Sequence, residues 1–311
     1  MKKIVIISLF ITNILTAQTK DFTETELAIP STKIAINGTL LMPNNVKSPK
    51  LIIIIPGSGP TDRNGNQGMM QTNATKFLAE ALSDKKIATF RFDKNVITLL
   101  KRKDFKEENL LFDDFIEDAK NSIAYFKKDK RFSKIVVAGH SQGSLVAILV
   151  ANQTDGFISL EGAGRPIAEI LYEQINNQAP FLAAPTQVVL DSLKQGQLVK
   201  NIPPLLLSVF RPSVQPFLIN WMRYNPQSEI KKLSVPILLI NGSKDIQVPV
   251  TDAELLHQAN IKSTFIRIEN MNHIFKEIKG DLQENQLSYT KPELPVMPIL
   301  VETIIEFINK I

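Results

Sequence analysis

The sequence predicts an α/β protein whose parallel sheet is covered by helices on both faces. Short apolar runs alternate with segments of helical periodicity along most of its 311 residues, which is the pattern of strand–helix–strand units. Several runs are apolar without interruption, most clearly residues 51–55, and such runs are typical of strands buried on both faces. With 44% hydrophobic and 22% charged residues, the composition is that of an ordinary globular chain, long enough for one large core or for a core plus an inserted cap.

The predicted elements follow one another in a regular order. Strands are expected at 34–42, 51–55, 87–92, 134–138, 156–160, 235–240 and 264–268. Helices are expected at 74–82, 111–126, 142–151, 251–258 and 299–308. Pro43 and Pro56 end the first two strands, and Pro236 is compatible with the sixth because it falls at the start of that strand.

The N-terminus predicts export. Lys2 and Lys3 precede a mostly apolar run at 4–15, and the small residue Ala17 follows it. This is the layout of a signal peptide, since the run is shorter than the roughly 20 residues that a membrane span needs. We expect residues 1–17 to be removed, leaving a periplasmic or secreted protein without stable membrane insertion. An uncleaved anchor and a first core strand are the alternatives.

Charge and cysteine content exclude several functions. The chain has 36 basic and 31 acidic residues, a formal charge of +5, and the basic residues are scattered, so no nucleic-acid partner is expected. It has no cysteine, which excludes disulfides, thiolate catalysis and cysteine-ligated zinc. Neither an H-x-x-x-H pattern nor clustered carboxylates suggest a metal, and we expect no cofactor. The oligomeric state stays open.

The strongest functional signal is the pentapeptide 139–143, Gly-His-Ser-Gln-Gly, which matches G-x-S-x-G. A predicted strand runs directly into it and a predicted helix runs directly out, which is the setting of a nucleophile elbow. We predict that Ser141 is the nucleophile. The glycines at 139 and 143 fit this role because side chains there would collide with the neighbouring strand and helix.

A serine hydroxyl needs a base to take its proton, and the chain offers three histidines. His140 lies inside the elbow and is expected to point away from Ser141, whereas His257 lies on a predicted helix. His273 follows the strand at 264–268, where the chain order serine, acid, histidine places the base. We therefore predict His273 as the general base.

The base in turn needs an acid that orients its ring. Asp245 lies in a turn directly after the strand at 235–240, and catalytic groups cluster at such carboxyl ends of strands. Glu161, at the end of the preceding strand, is the competing acid. We predict Asp245 as the acid, with Glu161 lining the substrate pocket or tethering the inserted segment.

An oxyanion that forms during acyl transfer needs N–H donors. The amide of Gln142, directly after the predicted nucleophile, supplies one of them. The second is expected from the loop after residues 51–55, with Ser58 as first choice and Gly59 as second. Asp62 and Arg63 in the same loop are expected to pin it by an ion pair.

Residues 163–230 interrupt the alternation of strands and helices. They hold eight of the 18 prolines and the only tryptophan, Trp221, and they are too hydrophobic for a disordered loop. We predict a helical cap there, inserted into a core formed by residues 18–162 and 231–311. Trp221 is expected either to bind substrate or to form part of the cap's own core.

The strand order, the elbow, the turn at 241–245 and the late histidine together resemble the α/β-hydrolase superfamily over residues 34–311. The loop at 56–66 resembles a bacterial esterase subgroup that is sometimes grouped with the serine aminopeptidases. The resemblance implies an eight-stranded, mostly parallel sheet and a cap after the sixth strand. Pro56 departs from the pattern, since many relatives have histidine before the oxyanion glycine.

The expected function is that of a serine hydrolase that cleaves carboxylic esters through an acyl-serine intermediate. A peptidase or amidase that uses the same triad is the nearest alternative, so the expected substrate is a small-molecule ester or a short peptide. A binding protein without activity on the hydrolase fold is the alternative from another class. The complete set of triad candidates, in the correct chain order, disfavours it.

Overall fold

The computed structural model describes residues 20–31 and 33–311, and the predicted signal peptide lies outside them. Within these residues the strands are Phe22–Ile29 (β1), Ile36–Pro43 (β2), Leu51–Ile55 (β3), Ala88–Phe92 (β4), Ile135–His140 (β5), Gly156–Leu160 (β6), Ile237–Gly242 (β7) and Thr264–Ile268 (β8). They form one eight-stranded sheet in the order β1-β2-β4-β3-β5-β6-β7-β8. The pairs β1–β2 and β2–β4 are antiparallel, and all other neighbours are parallel. The mostly parallel sheet is therefore confirmed.

Helices connect the strands and cover both faces of the sheet. The α-helices of the described residues are Ala74–Asp84 (α1), Val96–Leu99 (α2), Phe112–Lys128 (α3), Gln142–Val150 (α4), Ile167–Gln178 (α5), Ala183–Lys194 (α6), Leu207–Phe210 (α7), Gln215–Met222 (α8), Pro226–Ile230 (α9), Val250–Ala259 (α10), Leu282–Ser288 (α11) and Pro298–Asn309 (α12). None of them combines the length and the apolar character that crossing a lipid bilayer requires.

The side chains of β3 show why this sequence folds into layers. Leu51, Ile53 and Ile55 pack with α3 and α4 on one face, whereas Ile52 and Ile54 pack with α1 and α12 on the other. Successive side chains of a strand point to opposite faces, so a continuous apolar run supplies both halves of the core. Burial of this central strand fixes the edge of the sheet at which the loops after β3, β5, β7 and β8 meet.

The segment between β6 and β7 contains α5 to α9, and we call residues 163–230 the helical insertion. It has an apolar core of its own, formed by Ala168, Val189, Leu190, Leu193, Leu206, Phe210 and Leu218. Partly buried rings of the insertion extend this core toward α3, where Phe115 lies 5.8 Å from Phe217 between ring centroids. The helical insertion therefore rests on α3 through aromatic contacts.

Candidate active site

Ser141 lies in the tight turn between β5 and α4, with φ 54° and ψ −122°. A positive φ at a residue other than glycine costs on the order of 1–3 kcal/mol and is maintained only by its surroundings. A Cβ added at Gly139 would lie 2.1 Å from the Gly143 carbonyl oxygen, and one added at Gly143 would lie 2.4 Å from that of Ile55. The collisions expected at both glycines are therefore present, and the close packing of strand and helix holds the turn.

His273 and Asp245 form a buried pair beside this turn. The Nδ1 atom of His273 lies 2.7 Å from Oδ2 of Asp245, and the two side chains are 4% and 0% exposed. Because a carboxylate only accepts hydrogen bonds, Nδ1 is the protonated nitrogen and Nε2 is the basic one. Asp245 is itself fixed, since its Oδ1 accepts the backbone N–H groups of Gln247 and Val248 at 2.7 and 2.9 Å.

Glu161 lies behind Asp245 rather than in the pocket. Its side chain is fully buried, and both carboxyl oxygens lie 3.0 Å from the backbone N–H of Gly242, which donates to them. The partner of His273 Nδ1 is Asp245, so the structure does not place Glu161 as the orienting acid. Its expected position on the pocket wall is also not observed, because Glu161 is absent from the residues that line the cavity in the described part of the chain.

The pKa values of the two carboxyl groups are shifted in opposite directions. Burial raises the pKa of Glu161 well above its ordinary value, and the neighbouring charge of Asp245 raises it further. Burial alone would raise the pKa of Asp245 too, but His273 and the hydrogen bond from Glu161 outweigh it and hold that pKa below its ordinary value. The pKa of Glu161 is thus shifted upward and that of Asp245 downward, so of the two it is Asp245 whose ionised form the site favours.

His140 has a role that the sequence did not indicate. Its Nε2 lies 2.8 Å from the backbone carbonyl oxygen of His273, to which it donates, and the two rings lie 4.8 Å apart. Burial lowers the pKa of His140 to about 3, and the nearby His273 adds to this effect. A neutral His140 therefore holds the backbone of the residue whose ring contacts Asp245. His257 does not line the cavity over Ser141, and its Nδ1 lies 2.8 Å from Ser263 Oγ.

A cavity of about 110 Å³ opens over Ser141 and His273. Besides these two and His140, its lining residues are Gly57, Ser58, Thr61, Gly65, Gln67, Met70, Thr72, Gln247, Ile274 and Tyr289. We call residues 57–72, which follow β3 and supply most of this lining, the β3 loop. The sequence assigned the loop a role in binding the oxyanion, but it did not predict that the loop forms the wall of the site.

Of the two expected oxyanion donors, Ser58 lines this cavity and Gln142 lies beside it, directly after Ser141. Gln142 is the first residue of α4, so its N–H has no carbonyl one turn earlier in the helix, and it lies at the positive end of the helix dipole. Ser58 lines the cavity, whereas Gly59 does not. A Cβ placed on the adjacent Gly57 would lie 3.3 Å from Ser141 Cβ, so the peptide between residues 57 and 58 passes directly beside the elbow.

Hydrogen bonds within the β3 loop hold its shape. The Asp62 carboxylate accepts the backbone N–H groups of Asn64 and Asn66, each at 2.8 Å. Asn66 Oδ1 in turn accepts the N–H of Thr72 at 2.8 Å. The prediction of an ion pair between Asp62 and Arg63 is wrong, because the Asp62 carboxylate accepts hydrogen bonds from these backbone N–H groups instead.

Arg63 anchors the loop to the sheet instead. Its guanidinium lies 2.7 Å from Oδ2 of Asp93, just after β4, and also pairs with Glu26 of β1. The hydrogen bond with Asp93 raises the pKa of Arg63 despite partial burial. The arginine therefore fixes the outer side of the loop while its inner side faces the cavity.

Trp221 does not lie at the cavity. Its ring stacks on Phe112 of α3, with centroids 5.3 Å apart and planes 4° apart, and it contacts Phe217 at 5.8 Å. These contacts use the indole to join α8 to α3, so the expectation that Trp221 binds substrate does not fit its position. The alternative, that the ring belongs to the packing core of the insertion, agrees with it.

One cluster in the described residues has the spacing of a metal site. Ligand atoms of Glu161, Asp245 and His273 all lie within 4.8 Å of one another. Asp245 and His273 already bond each other, and Glu161 accepts the Gly242 N–H. A metal there would have to displace the hydrogen bond that sets the tautomer of His273, so the donor set fits proton transfer better than metal binding.

No protein-family model matches the sequence. The chain is 27% identical over 295 residues to the esterase EstD of Thermotoga maritima, and the alignment covers 88% of this chain and 68% of that protein. The solved structure of Est1E from Butyrivibrio proteoclasticus superposes with a TM-score of 0.59 at 18% identity, covering 91% of this chain and 99% of that one. The acylaminoacyl peptidase of Pyrococcus horikoshii gives a TM-score of 0.54 at 13% identity over 88% of this chain and 40% of that one. The sheet order and these solved structures show the α/β-hydrolase fold, and the esterase relative supports a carboxylesterase-like hydrolase.

Proposed function

We propose that the protein hydrolyses small carboxylic esters through an acyl-Ser141 intermediate. The observation that carries the proposal is the 2.7 Å contact between His273 and Asp245 at the cavity that Ser141 also lines. Asp245 keeps Nδ1 protonated, which leaves Nε2 of His273 as the base that takes the proton of Ser141. No cofactor is needed for this chemistry.

Each proposed step uses Ser141, His273 or a backbone amide next to them. His273 takes the proton while Ser141 Oγ attacks the ester carbonyl carbon, and the amides of Gln142 and Ser58 receive the negative oxygen. His273 then gives the proton to the leaving alkoxide, which departs as the alcohol and leaves the acyl-enzyme. Water, deprotonated by His273, attacks the acyl carbon, and the proton returns to Ser141 Oγ as the carboxylic acid leaves.

The lining of the cavity favours esters over the substrates of an aminopeptidase. An aminopeptidase must bind a cationic amino terminus, and a carboxylate is the usual partner for such a group. Among the described residues that line the cavity, none is Asp or Glu, and the polar ones other than the histidines are neutral hydroxyls and amides. A cavity of about 110 Å³ also suits a short acyl group.

Ser141→Ala tests this function directly. We expect kcat on p-nitrophenyl acetate to fall by at least about 10³-fold, as losing a member of a catalytic triad does, with the melting temperature nearly unchanged. Labelling by a fluorophosphonate probe should disappear as well. Ser192→Ala, a change on α6 away from the cavity, is the control. A Ser141→Ala protein that kept a tenth of the activity would show that Ser141 is not the nucleophile.

A substrate panel separates ester hydrolysis from the alternatives. p-Nitrophenyl esters of increasing chain length are assayed beside aminoacyl-nitroanilides on the mature protein. We expect turnover of the short esters and much slower turnover of the nitroanilides. The reverse ranking would favour the peptidase. Absence of turnover and of fluorophosphonate labelling would favour a binding protein without activity.

We also propose that the protein is exported, on the strength of Lys2, Lys3, the apolar run at 4–15 and Ala17. Protein isolated from its native host should begin near Gln18. Intact-mass measurement of the periplasmic and cytoplasmic fractions checks this. A protein that retains Met1 and fractionates with the cytoplasm would contradict export.

A further inference from the structure

A buried lysine lies directly behind the two proposed oxyanion donors. Lys94, which follows β4, is 4% exposed, and its Nζ donates to the Gly57 carbonyl oxygen at 2.8 Å and to Gln142 Oε1 at 2.6 Å. Gly57 belongs to the β3 loop and Gln142 to the first turn of α4. One ammonium group therefore joins the two chain segments that carry the donors.

The bond to Gly57 bears on Ser58 through the geometry of a single peptide unit. The carbonyl of Gly57 and the N–H of Ser58 belong to the same planar trans peptide, so they point in opposite directions. A donor on the carbonyl side fixes the plane and directs the N–H away from Lys94. The same hydrogen bond polarises the peptide and makes its N–H a stronger donor.

Among the described residues, no carboxylate forms an ion pair with Lys94. Its Nζ lies 4.0 Å from the ring centroid of Phe115, and Asp118, which lines the same small cavity, accepts hydrogen bonds from Ser31 and Asn95 instead. Burial lowers the pKa of Lys94 to about 7. A buried amine without a counter-ion is costly for stability, and an anion that forms nearby favours its charged state. These features fit an amine whose positive charge is favoured when the negative charge of the tetrahedral intermediate forms nearby.

We propose that Lys94 is a positioning residue of the oxyanion hole, which fixes the Ser58 and Gln142 amides and stabilises the tetrahedral intermediate with its positive charge. The proposal rests on the ester-hydrolase function proposed above. A residue that only holds the structure together would stabilise the bound substrate and the transition state equally. Lys94, as proposed, stabilises the transition state more than the bound substrate.

The test compares Lys94→Met with Lys276→Met. Lys276 is the matched control because it is also buried, donates to the Leu294 backbone oxygen and lies 4.9 Å from the ring of Phe77, yet it contacts neither Gly57 nor Gln142. For each protein we measure kcat and KM on p-nitrophenyl acetate, the affinity for an alkyl trifluoromethyl ketone, and the melting temperature. The ketone forms a tetrahedral adduct with the serine and so reports oxyanion binding.

We expect Lys94→Met to lower kcat about 100-fold with KM within about threefold, the scale of losing one oxyanion donor. Affinity for the trifluoromethyl ketone should fall by a similar factor. Lys276→Met should lower the melting temperature and leave kcat within about twofold. A Lys94→Met protein that kept kcat within threefold, or lost kcat without losing affinity for the ketone, would overturn the proposal.

Two further measurements keep the outcome decisive. Gln142→Met removes one acceptor of Lys94 but keeps the backbone amide, so kcat should fall roughly tenfold and the double variant should lose less than the product of the two single losses. If Lys94→Met fails to fold, a Gln142→Met protein with wild-type kcat overturns the proposal. Fluorophosphonate labelling of Ser141 also develops negative charge in the oxyanion hole. The labelling rate of Lys94→Met therefore tests the role of Lys94 even if the protein does not hydrolyse esters and the proposed function fails.

Discussion

The β3 loop and the helical insertion differ in how they relate to the cavity over Ser141. The loop is short and polar, and it supplies most of the cavity lining. The insertion is several times longer and rich in aromatic residues, yet none of its residues lines the cavity in the described part of the chain. Its rings instead pack among themselves and against α3. Hydrophobic content is therefore a poor guide to which of two segments contacts the substrate.

The two segments differ because one is held together by hydrogen bonds and the other by burial of apolar side chains. A short loop cannot bury an apolar core, so it holds its shape through hydrogen bonds such as those of Asp62 and Asn66, which close within the loop. Its remaining side chains are left to face the cavity. A long segment with large apolar groups buries them first, and Trp221 and Phe217 are used in docking on α3.

The largest expected effect comes from a group that belongs to neither region. Asp245→Asn should lower kcat roughly 10⁴-fold, because the amide favours the wrong tautomer of His273. Glu161→Gln is the matched change, and it should cost less than about tenfold because the amide can still donate to Asp245. Steady-state kinetics on p-nitrophenyl acetate rank the two. A larger loss for Glu161→Gln would move the orienting acid to the end of β6.

A smaller effect is expected at the tip of the β3 loop. Met70 lines the cavity, whereas its neighbour Met69 is 90% exposed and does not. Met70→Ala should change the ranking of ester chain lengths by roughly tenfold in kcat/KM, as the loss of a pocket contact does. Met69→Ala is the control and should leave the ranking unchanged. Equal profiles for the two variants would show that the loop does not select the substrate.

The smallest effect on activity is expected in the insertion. Trp221→Ala should leave the chain-length ranking within about twofold while destabilising the protein by about 3 kcal/mol, because it removes a ring stacked on Phe112. Thermal or urea unfolding measures the loss of stability, and the ester panel measures the ranking. A changed ranking with an unchanged melting temperature would break the contrast between the two regions.

The sequence predicted the elements that a short stretch of consecutive residues is enough to define. Continuous apolar runs located the buried strands, and the elbow followed from its glycines between a strand and a helix. The edge strand β1 was missed because most of its side chains are exposed, so it carries no buried apolar run. The signal peptide stays a prediction.

Contacts between distant segments were harder to predict. Lys94 follows a strand as many surface lysines do, and only the fold brings it to Gly57 and Gln142. His140 was placed in the elbow, but its bond to the carbonyl of His273 joins residues 133 positions apart. Trp221 was expected either to bind substrate or to form part of the cap's own core, and the sequence could not identify Phe112 as its neighbour.

The closed hydrogen bonding of the β3 loop has a consequence for how the site can diversify. The base of the loop is fixed by Asp62, Asn66 and Arg63, whereas the backbones of Gln67 and Met70 pair with each other at the tip, with bonds of 2.9 Å in both directions. We therefore expect that residues of the tip can be substituted without displacing the segment that carries Ser58. We expect chimaeras with other loop tips to keep the catalytic chemistry and to change the range of substrates. The tip of the β3 loop is therefore the place at which substrate specificity can be redesigned.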